Sequence, residues 1–305
     1  MTEIDEIKTR AGFVAIIGPT NAGKSTLLNR LIGQKISIVT HKVQTTRAMI
    51  RGIAVYDKTQ IVFVDTPGIF RARHLLEKAM IQNAWEGAEE ADQVLLVMDA
   101  RRGKDEAIER ILEGLEGKAK NVTLALNKVD TVKKPDLLKL AEEMNQAFPF
   151  ADTVMISAQN GSGVMQLQRL LSKKMPISPF LYPEDQISDS PMRQIAAELT
   201  REKIFLRLHQ EIPYSTTVET EKWEDKRNGI RIEQTVYVTR ENHRRIILGH
   251  KGENIRKIGQ EARKELGEMM GCEIHLFLFV KVRENWQNDP ERYTQMGLEI
   301  PKSQK

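Results

Sequence analysis

The chain has 305 residues, 40% of them hydrophobic and 29% charged, with a formal net charge of +4. That length suggests about two folded domains, and no apolar run approaches the ~20 residues needed to span a membrane. The single cysteine, Cys272, excludes a disulfide framework within the chain and a thiolate zinc site, and fits a reducing compartment.

Met1–Ala11 is charged and lacks the apolar centre of a signal peptide. Phe13–Ile17 is a short apolar run that reads as a buried strand. It leads into Gly18, Pro19, Thr20, Asn21, Ala22, Gly23, Lys24 and Ser25, which fit the phosphate-loop pattern of glycine, four residues, glycine, lysine, serine. Leu27, Leu28, Leu31 and Ile32 then recur at helical spacing, and Gly33 is placed to end the helix. A glycine loop between a strand and a helix start gathers backbone N–H groups and the positive end of the helix dipole around one point. Such a point binds a polyphosphate. Lys24 reaches the outer phosphates, and the Ser25 hydroxyl is a ligand for magnesium.

Lys35–Ala48 is polar and reads as a surface loop. Met49–Tyr56 and Gln60–Val64 read as strands joined at Asp57-Lys58. The second strand runs into Asp65, Thr66, Pro67 and Gly68. An aspartate ending an apolar strand is where a phosphate-loop enzyme holds magnesium. Gly68 lets its N–H approach a terminal phosphate. Strands follow at Gln93–Met98, Asn121–Leu126 and Thr153–Ile156, alternating with helices at Glu106–Leu115, Leu137–Ala147 and Val164–Lys174. This alternation predicts an α/β fold, a mostly parallel sheet covered by helices, with ligands bound beyond the carboxyl ends of the strands. Gly18, Asp65, Asn127 and Ser157 all follow strand ends.

Asn127, Lys128, Val129 and Asp130 address the base. A carboxylate at Asp130 accepts from the guanine N1–H and exocyclic amine, a donor pair that adenine lacks, and buried polar partners reject the wrong base strongly. Asn127 is expected to tie this loop to the phosphate loop, Lys128 to lay its stem on the base, and the Ala158 N–H, next to Ser157, to meet the guanine oxygen. Ile69 stands where Ras-like enzymes carry the glutamine that orients the attacking water. Hydrolysis must therefore use another device. Slow intrinsic turnover is expected, and no acid–base residue is assigned.

Residues 13–175 resemble a GTPase of the Era/EngA/TrmE type, carried by Pro19, Asn21, Thr45-Thr46-Arg47 and Asp65-Thr66-Pro67-Gly68. The resemblance implies that Thr46 ligates magnesium in the GTP state, that loops 35–48 and 66–75 are switches, with Thr46 and Gly68 supporting hydrolysis, and that Asn21 helps hold a potassium ion.

Leu181–Asp189 has no periodicity and reads as a linker. The expected division is a GTP-binding domain at 1–178, a linker at 179–189, and a smaller α+β domain at 190–298 with a tail to 305. In that second domain a helix is expected over Pro191–Ile212, strands over Thr216–Lys222 and Ile230–Val238, helices on either side of Gly249-His250-Lys251-Gly252, and a strand over His275–Val280. A glycine, two residues, glycine loop between two helices is the mark of a KH module, which clamps about four nucleotides. Arg244, Arg245, Lys251, Arg256 and Lys257 are candidate phosphate contacts. Between Arg240 and Arg283 ten Lys/Arg face six Glu, an excess equal to that of the whole chain; such a surplus points to an anionic partner. Lys281, Arg283 and Trp286 extend the RNA surface, Trp286 as a base-stacking candidate.

The element order resembles a type II KH domain. A GTPase domain joined to one, with the stretch Val280–Trp286, is similar to the Era family. That resemblance implies GTP hydrolysis with Mg2+, binding of small-subunit (16S) ribosomal RNA, a role in 30S subunit assembly, and a cytoplasmic monomer with some peripheral association at the inner membrane. Two alternatives stay open at this point: a non-hydrolysing RNA-binding scaffold that keeps GTP, and a tRNA-modification GTPase of the TrmE kind.

Overall fold

The computed structural model describes residues 9–40, 42, 47, 49–69, 75–117, 121–208, 212–284 and 286–288. The chain forms two compact units that divide between Asp189 and Ser190, the second also taking in Ile38–Thr45.

In the first unit, β1 (Arg10–Ile17), α1 (Lys24–Ile32), β2 (Ile50–Tyr56), β3 (Thr59–Asp65), α2 (Leu75–Glu90), β4 (Gln93–Asp99), α3 (Glu106–Leu115), β5 (Val122–Asn127), α4 (Lys134–Ala147), β6 (Asp152–Met155) and α5 (Val164–Lys174) follow in order. They build a six-stranded sheet in the order β2-β3-β1-β4-β5-β6. Only β2 runs antiparallel, paired with β3 through the Asp57-Lys58 turn. Alternation along β1 divides its side chains between two cores. Val14 and Ile16 join Leu27, Leu28 and Leu31 of α1 and Leu167 and Leu171 of α5. Ala15 and Ile17 join Ile108 and Ile111 of α3 and Leu140 and Met144 of α4. Both faces are thus covered, as apolar strand runs require.

The segment 179–189, expected to be a linker, is bound to this unit. Gln60 Oε1 accepts the N–H groups of Leu181 and Tyr182 at 2.8 and 3.0 Å, the Ile53 N–H donates to the Ile187 carbonyl at 2.9 Å, and Arg51 pairs with Asp189 at 2.9 Å. The physical reason is the open side of β2, an edge strand whose backbone groups need partners.

The second unit comprises α6 (Met192–Arg207), β7 (Thr216–Lys226), β8 (Gly229–Val238), α7 (Glu241–Leu248), α8 (Glu253–Met270) and β9 (Ile274–Val282). Its sheet is β7-β8-β9, antiparallel between β7 and β8 and parallel between β8 and β9. Leu208 caps α6 with its N–H on the Ile204 carbonyl, so this helix ends before the expected Ile212. Ile204, Val218, Val236, Val238, Ile247 and Ile258 form one core, and Leu199, Ile232, Ala262, Leu266 and Ile274 lie in another. Within the same unit the Val39 N–H donates to Glu202 Oε1 at 2.8 Å.

Candidate nucleotide and RNA sites

The carboxyl ends of β1, β3, β4 and β5 lie along one edge of the first sheet, by register: Ile16 opposite Asp65 and Asp99 opposite Asn127. The glycine loop leaves β1 there. Gly18 has φ +149°, and a Cβ on it would sit 2.1 Å from the Val97 carbonyl oxygen. Gly23 has φ +98°, a conformation that L side chains rarely adopt. Lys24 is buried, and its Nζ donates to the carbonyls of Gly18 at 3.0 Å and Pro19 at 2.9 Å. Burial lowers its ammonium to about 8, against the opposing pull of the Asp65 charge.

Ser25 Oγ donates to Asp65 Oδ2 at 2.8 Å, and Ser37 Oγ donates to the same oxygen at 2.9 Å. Asp65 is fully buried, and burial pushes its carboxyl up against the influence of Lys24 and the two hydroxyls. Its second oxygen, Oδ1, is buried with no hydrogen-bond partner among the described residues. A buried carboxylate oxygen left open costs free energy unless a cation takes it. Among the described residues no group of three or more His, Cys, Asp or Glu could hold a metal. One aspartate and one hydroxyl, with the rest supplied by phosphate and water, is what magnesium takes at such sites. The donor set therefore fits Mg2+. Thr46 lies outside the described residues.

Thr66 Oγ1 donates to the Ile16 carbonyl at 2.9 Å. Pro67 follows, and Gly68 packs on the glycine loop, where a Cβ would stand 2.9 Å from Thr20 Cγ2. The Ile69 N–H donates to the Gly18 carbonyl at 3.2 Å. Its side chain is 9% exposed and packs in the core with Ala15 and Ile17.

Asn127 joins three loops. Its Nδ2 donates to the Ala22 carbonyl at 2.8 Å, and its Oδ1 accepts the Ala158 N–H at 2.9 Å. The Ala158 amide was expected on the guanine oxygen. In the structure it is buried and donates to Asn127 Oδ1, which braces the site. Ser157 is also buried, with its Oγ accepting the Asn160 N–H at 3.3 Å. Lys128 has φ +66°, and its Nζ donates to the Asn21 carbonyl at 2.7 Å and to Asp99 Oδ2 at 2.9 Å. Val129 is half-buried and Asp130 exposed at the rim. Asp99 and Ser37 were missed by sequence reading. The rule that singled out Asp65, an aspartate ending an apolar strand, applies equally to Asp99.

In the second unit Gly249 ends α7 with φ +72°, and a Cβ on it would meet the Asn254 backbone nitrogen at 2.9 Å. Lys251 takes φ +49°, and the Gly252 N–H closes the loop on the Gly249 carbonyl at 3.2 Å. His250, Lys251, Arg245 and Arg256 are exposed. Arg244 pairs with Glu241 at 2.9 Å, and Lys257 with Glu253 at 2.6 Å. Lys281 and Arg283 are exposed at the end of β9. Trp286 corrects the expectation. It is 1% exposed, with Nε1 donating to the Ser215 carbonyl at 3.2 Å, so its ring offers no face to a base. A large apolar ring with one polar atom is most stable buried with that atom bonded.

A glycine loop, a strand-end aspartate and an Asn-Lys-Val-Asp loop on one sheet edge, followed by a helix–glycine loop–helix unit, define a phosphate-loop GTPase joined to a KH domain. Residues 13–128 match the family described as 50S ribosome-binding GTPase, and residues 211–287 match the KH domain family. The chain is 57% identical over 300 residues to GTPase Era of Brucella suis, covering 98% of this chain and 96% of that protein. It is 57% identical over 301 residues to GTPase Era of Agrobacterium fabrum, covering 98% and 95%. It is similar to the crystal structure of a point variant of Aquifex aeolicus Era bound to GDP.AlF4-, with TM-score 0.90 and 35% identity over 95% of this chain and 99% of the other. It is also similar to Era in complex with MgGDPNP and nucleotides 1506-1542 of 16S ribosomal RNA, with TM-score 0.89, 35% identity and the same coverage. The chain belongs to the Era family of GTPases, and its enzymatic reaction is hydrolysis of GTP to GDP and phosphate.

Proposed function

We propose that this GTPase couples a guanine-nucleotide cycle to binding of 16S ribosomal RNA during small-subunit assembly. In this reading the loop from Gly18 to Ser25 holds the phosphates through backbone N–H groups and Lys24. Asp130 accepts the two guanine donors while Asn127 keeps the base and phosphate loops in register. Ser25, Asp65 and Thr46 hold magnesium, which neutralises charge on the phosphates. Gly68 brings its N–H toward the terminal phosphate. Ile69 holds its loop by packing and takes no part in orienting water, so Asn21 and a potassium ion, or a bound partner, supply what the glutamine supplies elsewhere. The KH unit takes single-stranded RNA along Gly249–Gly252, with Lys251, Arg245 and Arg256 at the phosphates. The working form is a monomer in the cytoplasm, with any membrane contact peripheral.

The observation that carries this reading is the double engagement of Asn127, with Ala22 on one side and Ala158 on the other. It is the brace that a site reading base and phosphate together requires. The test is calorimetry of GTP, GDP and ATP binding to wild type and Asp130→Ala, with single-stranded RNA titrated into each nucleotide form. Guanine-only binding that the substitution abolishes supports the reading. ATP binding equal to GTP overturns the base assignment, and equal RNA affinity in the GTP-analogue and GDP forms overturns the coupling.

A further inference from the structure

Asp99 ends β4 directly beside Asn127, the last residue of β5, and the Ala100 N–H donates to the Asn127 carbonyl at 2.9 Å. The strand pairing therefore delivers a carboxylate to the guanine loop. Asp99 is 6% exposed, and a carboxylate so placed needs charged or hydrogen-bonding partners. It has two. Arg101 wraps round it, Nε on Oδ1 at 2.9 Å and Nη2 on Oδ2 at 2.6 Å. Lys128 Nζ reaches Oδ2 from the other side at 2.9 Å.

Lys128 is the residue with most to gain from this. Its side chain has the rotamer freedom of a long lysine, yet here both ends are fixed. Its backbone is left-handed. Its ammonium is shared between Asp99 and the Asn21 carbonyl of the phosphate loop. The stem is stretched across the mouth of the site, with Cε 3.9 Å from where a Cβ on Gly23 would lie. A stem fixed there before ligand arrives is a ready apolar platform for a purine, and ordering it in advance removes a cost from binding.

We infer that Asp99 is a positioning residue for nucleotide binding: clamped by Arg101, it holds the Lys128 ammonium so that the lysine stem forms one wall of the base pocket. The inference rests on the proposed assignment of 127–130 to guanine. Asp99 touches no nucleotide itself. It acts through Lys128, on GDP and GTP alike, and leaves the choice of guanine over adenine to Asp130.

The test is a double-mutant cycle on the full chain, read by release of a fluorescent GDP analogue and by calorimetry with GDP. Asp99→Asn keeps the shape and removes the charge. Lys128→Met keeps the stem and removes the ammonium. Asp99→Asn is expected to weaken GDP binding on the order of tenfold, mostly through faster release, and the double variant should match Lys128→Met alone. Additive losses, or a fall in melting temperature with unchanged GDP affinity, overturn the inference. Should Asp99→Asn not fold, Arg101→Ala, whose side chain is exposed, carries the same cycle. It should weaken GDP binding in the same direction and non-additively with Lys128→Met, and unchanged GDP affinity overturns the inference. Asp130→Ala in parallel separates the two ideas. Retained guanine selectivity in Asp130→Ala sinks the base assignment, whereas loss of selectivity there with additive losses in the cycle sinks only the role of Asp99.

Discussion

Ser37 Oγ donates to Asp65 Oδ2 at 2.9 Å, the oxygen that also takes the Ser25 hydroxyl. Asn29 holds the Ser37 backbone in this position. Asn29 Oδ1 accepts the N–H groups of Ile36 and Ser37, both at 2.9 Å, and Asn29 Nδ2 donates to the Ser37 carbonyl at 2.7 Å. Ser37→Ala leaves a buried carboxylate one donor short, at a cost of about 1–3 kcal/mol. Urea unfolding of nucleotide-free protein should show that loss. The loss should shrink with saturating magnesium and GDP. A variant as stable as wild type would remove Ser37 from the site.

Ile69→Gln tests whether the missing glutamine can simply be restored. The side chain at this position points into the core beside Ala15 and Ile17. An amide buried there without a partner costs about 1–3 kcal/mol. The expected outcome is a lower melting temperature with no gain in phosphate release. Faster release would put residue 69 beside the attacking water.

Lys251→Ala and Arg256→Ala address the RNA surface. Each is exposed, and each removed phosphate contact should lower the slope of log affinity against log salt by roughly 0.7 on single-stranded RNA. GDP affinity should not change. Unchanged RNA binding across the salt range would relocate the interface.

Trp286 separates packing from recognition. Trp286→Ala should cost about 3–5 kcal/mol of stability in the KH unit. Trp286→Phe keeps an aromatic ring in the core and loses the bond to Ser215, so it should fold and bind RNA within about twofold of wild type, taking ~0.4 kcal/mol as the limit. A large, selective loss of RNA affinity in folded Trp286→Phe would restore the stacking role.

The Asp99 carboxyl has a pH signature. Burial pushes it up, but hydrogen bonds from Arg101 and Lys128 outweigh that and hold it at about 2, against an ordinary 3.8. As pH falls through this window the unfolded chain takes up the proton first, so the stabilisation is present above about 4 and is lost toward 2. The stability difference between wild type and Asp99→Asn should be flat from pH 8 to about 5 and narrow below that. A difference that changes between pH 6 and 8 would assign it to another group.

Local chemistry made much of this legible. Gly18 to Ser25 could be read because loop, lysine and hydroxyl are neighbours in the chain, and Asn127 to Asp130 because four consecutive residues carry base recognition. Asp99 was harder, since its meaning depends on β4 lying beside β5, a pairing fixed by the whole sheet. Trp286 was misread because its partner, Ser215, lies far back in the chain. The bound course of 179–189 was hidden for another reason. Those contacts are largely backbone to backbone or to Gln60, and backbone donors leave no trace in side-chain periodicity.

Gly23 and Asn127 also constrain each other. A Cβ at position 23 would lie 2.3 Å from Asn127 Nδ2, so the asparagine occupies the space that the glycine vacates. Neither position can change first without harm. A larger residue at 23 evicts the asparagine, and a smaller one at 127 unties three loops while the strained glycine backbone remains. Base choice rests with Asp130, whereas this pair carries the brace beneath it, so substitutions at 23 and 127 are expected to be strongly non-additive.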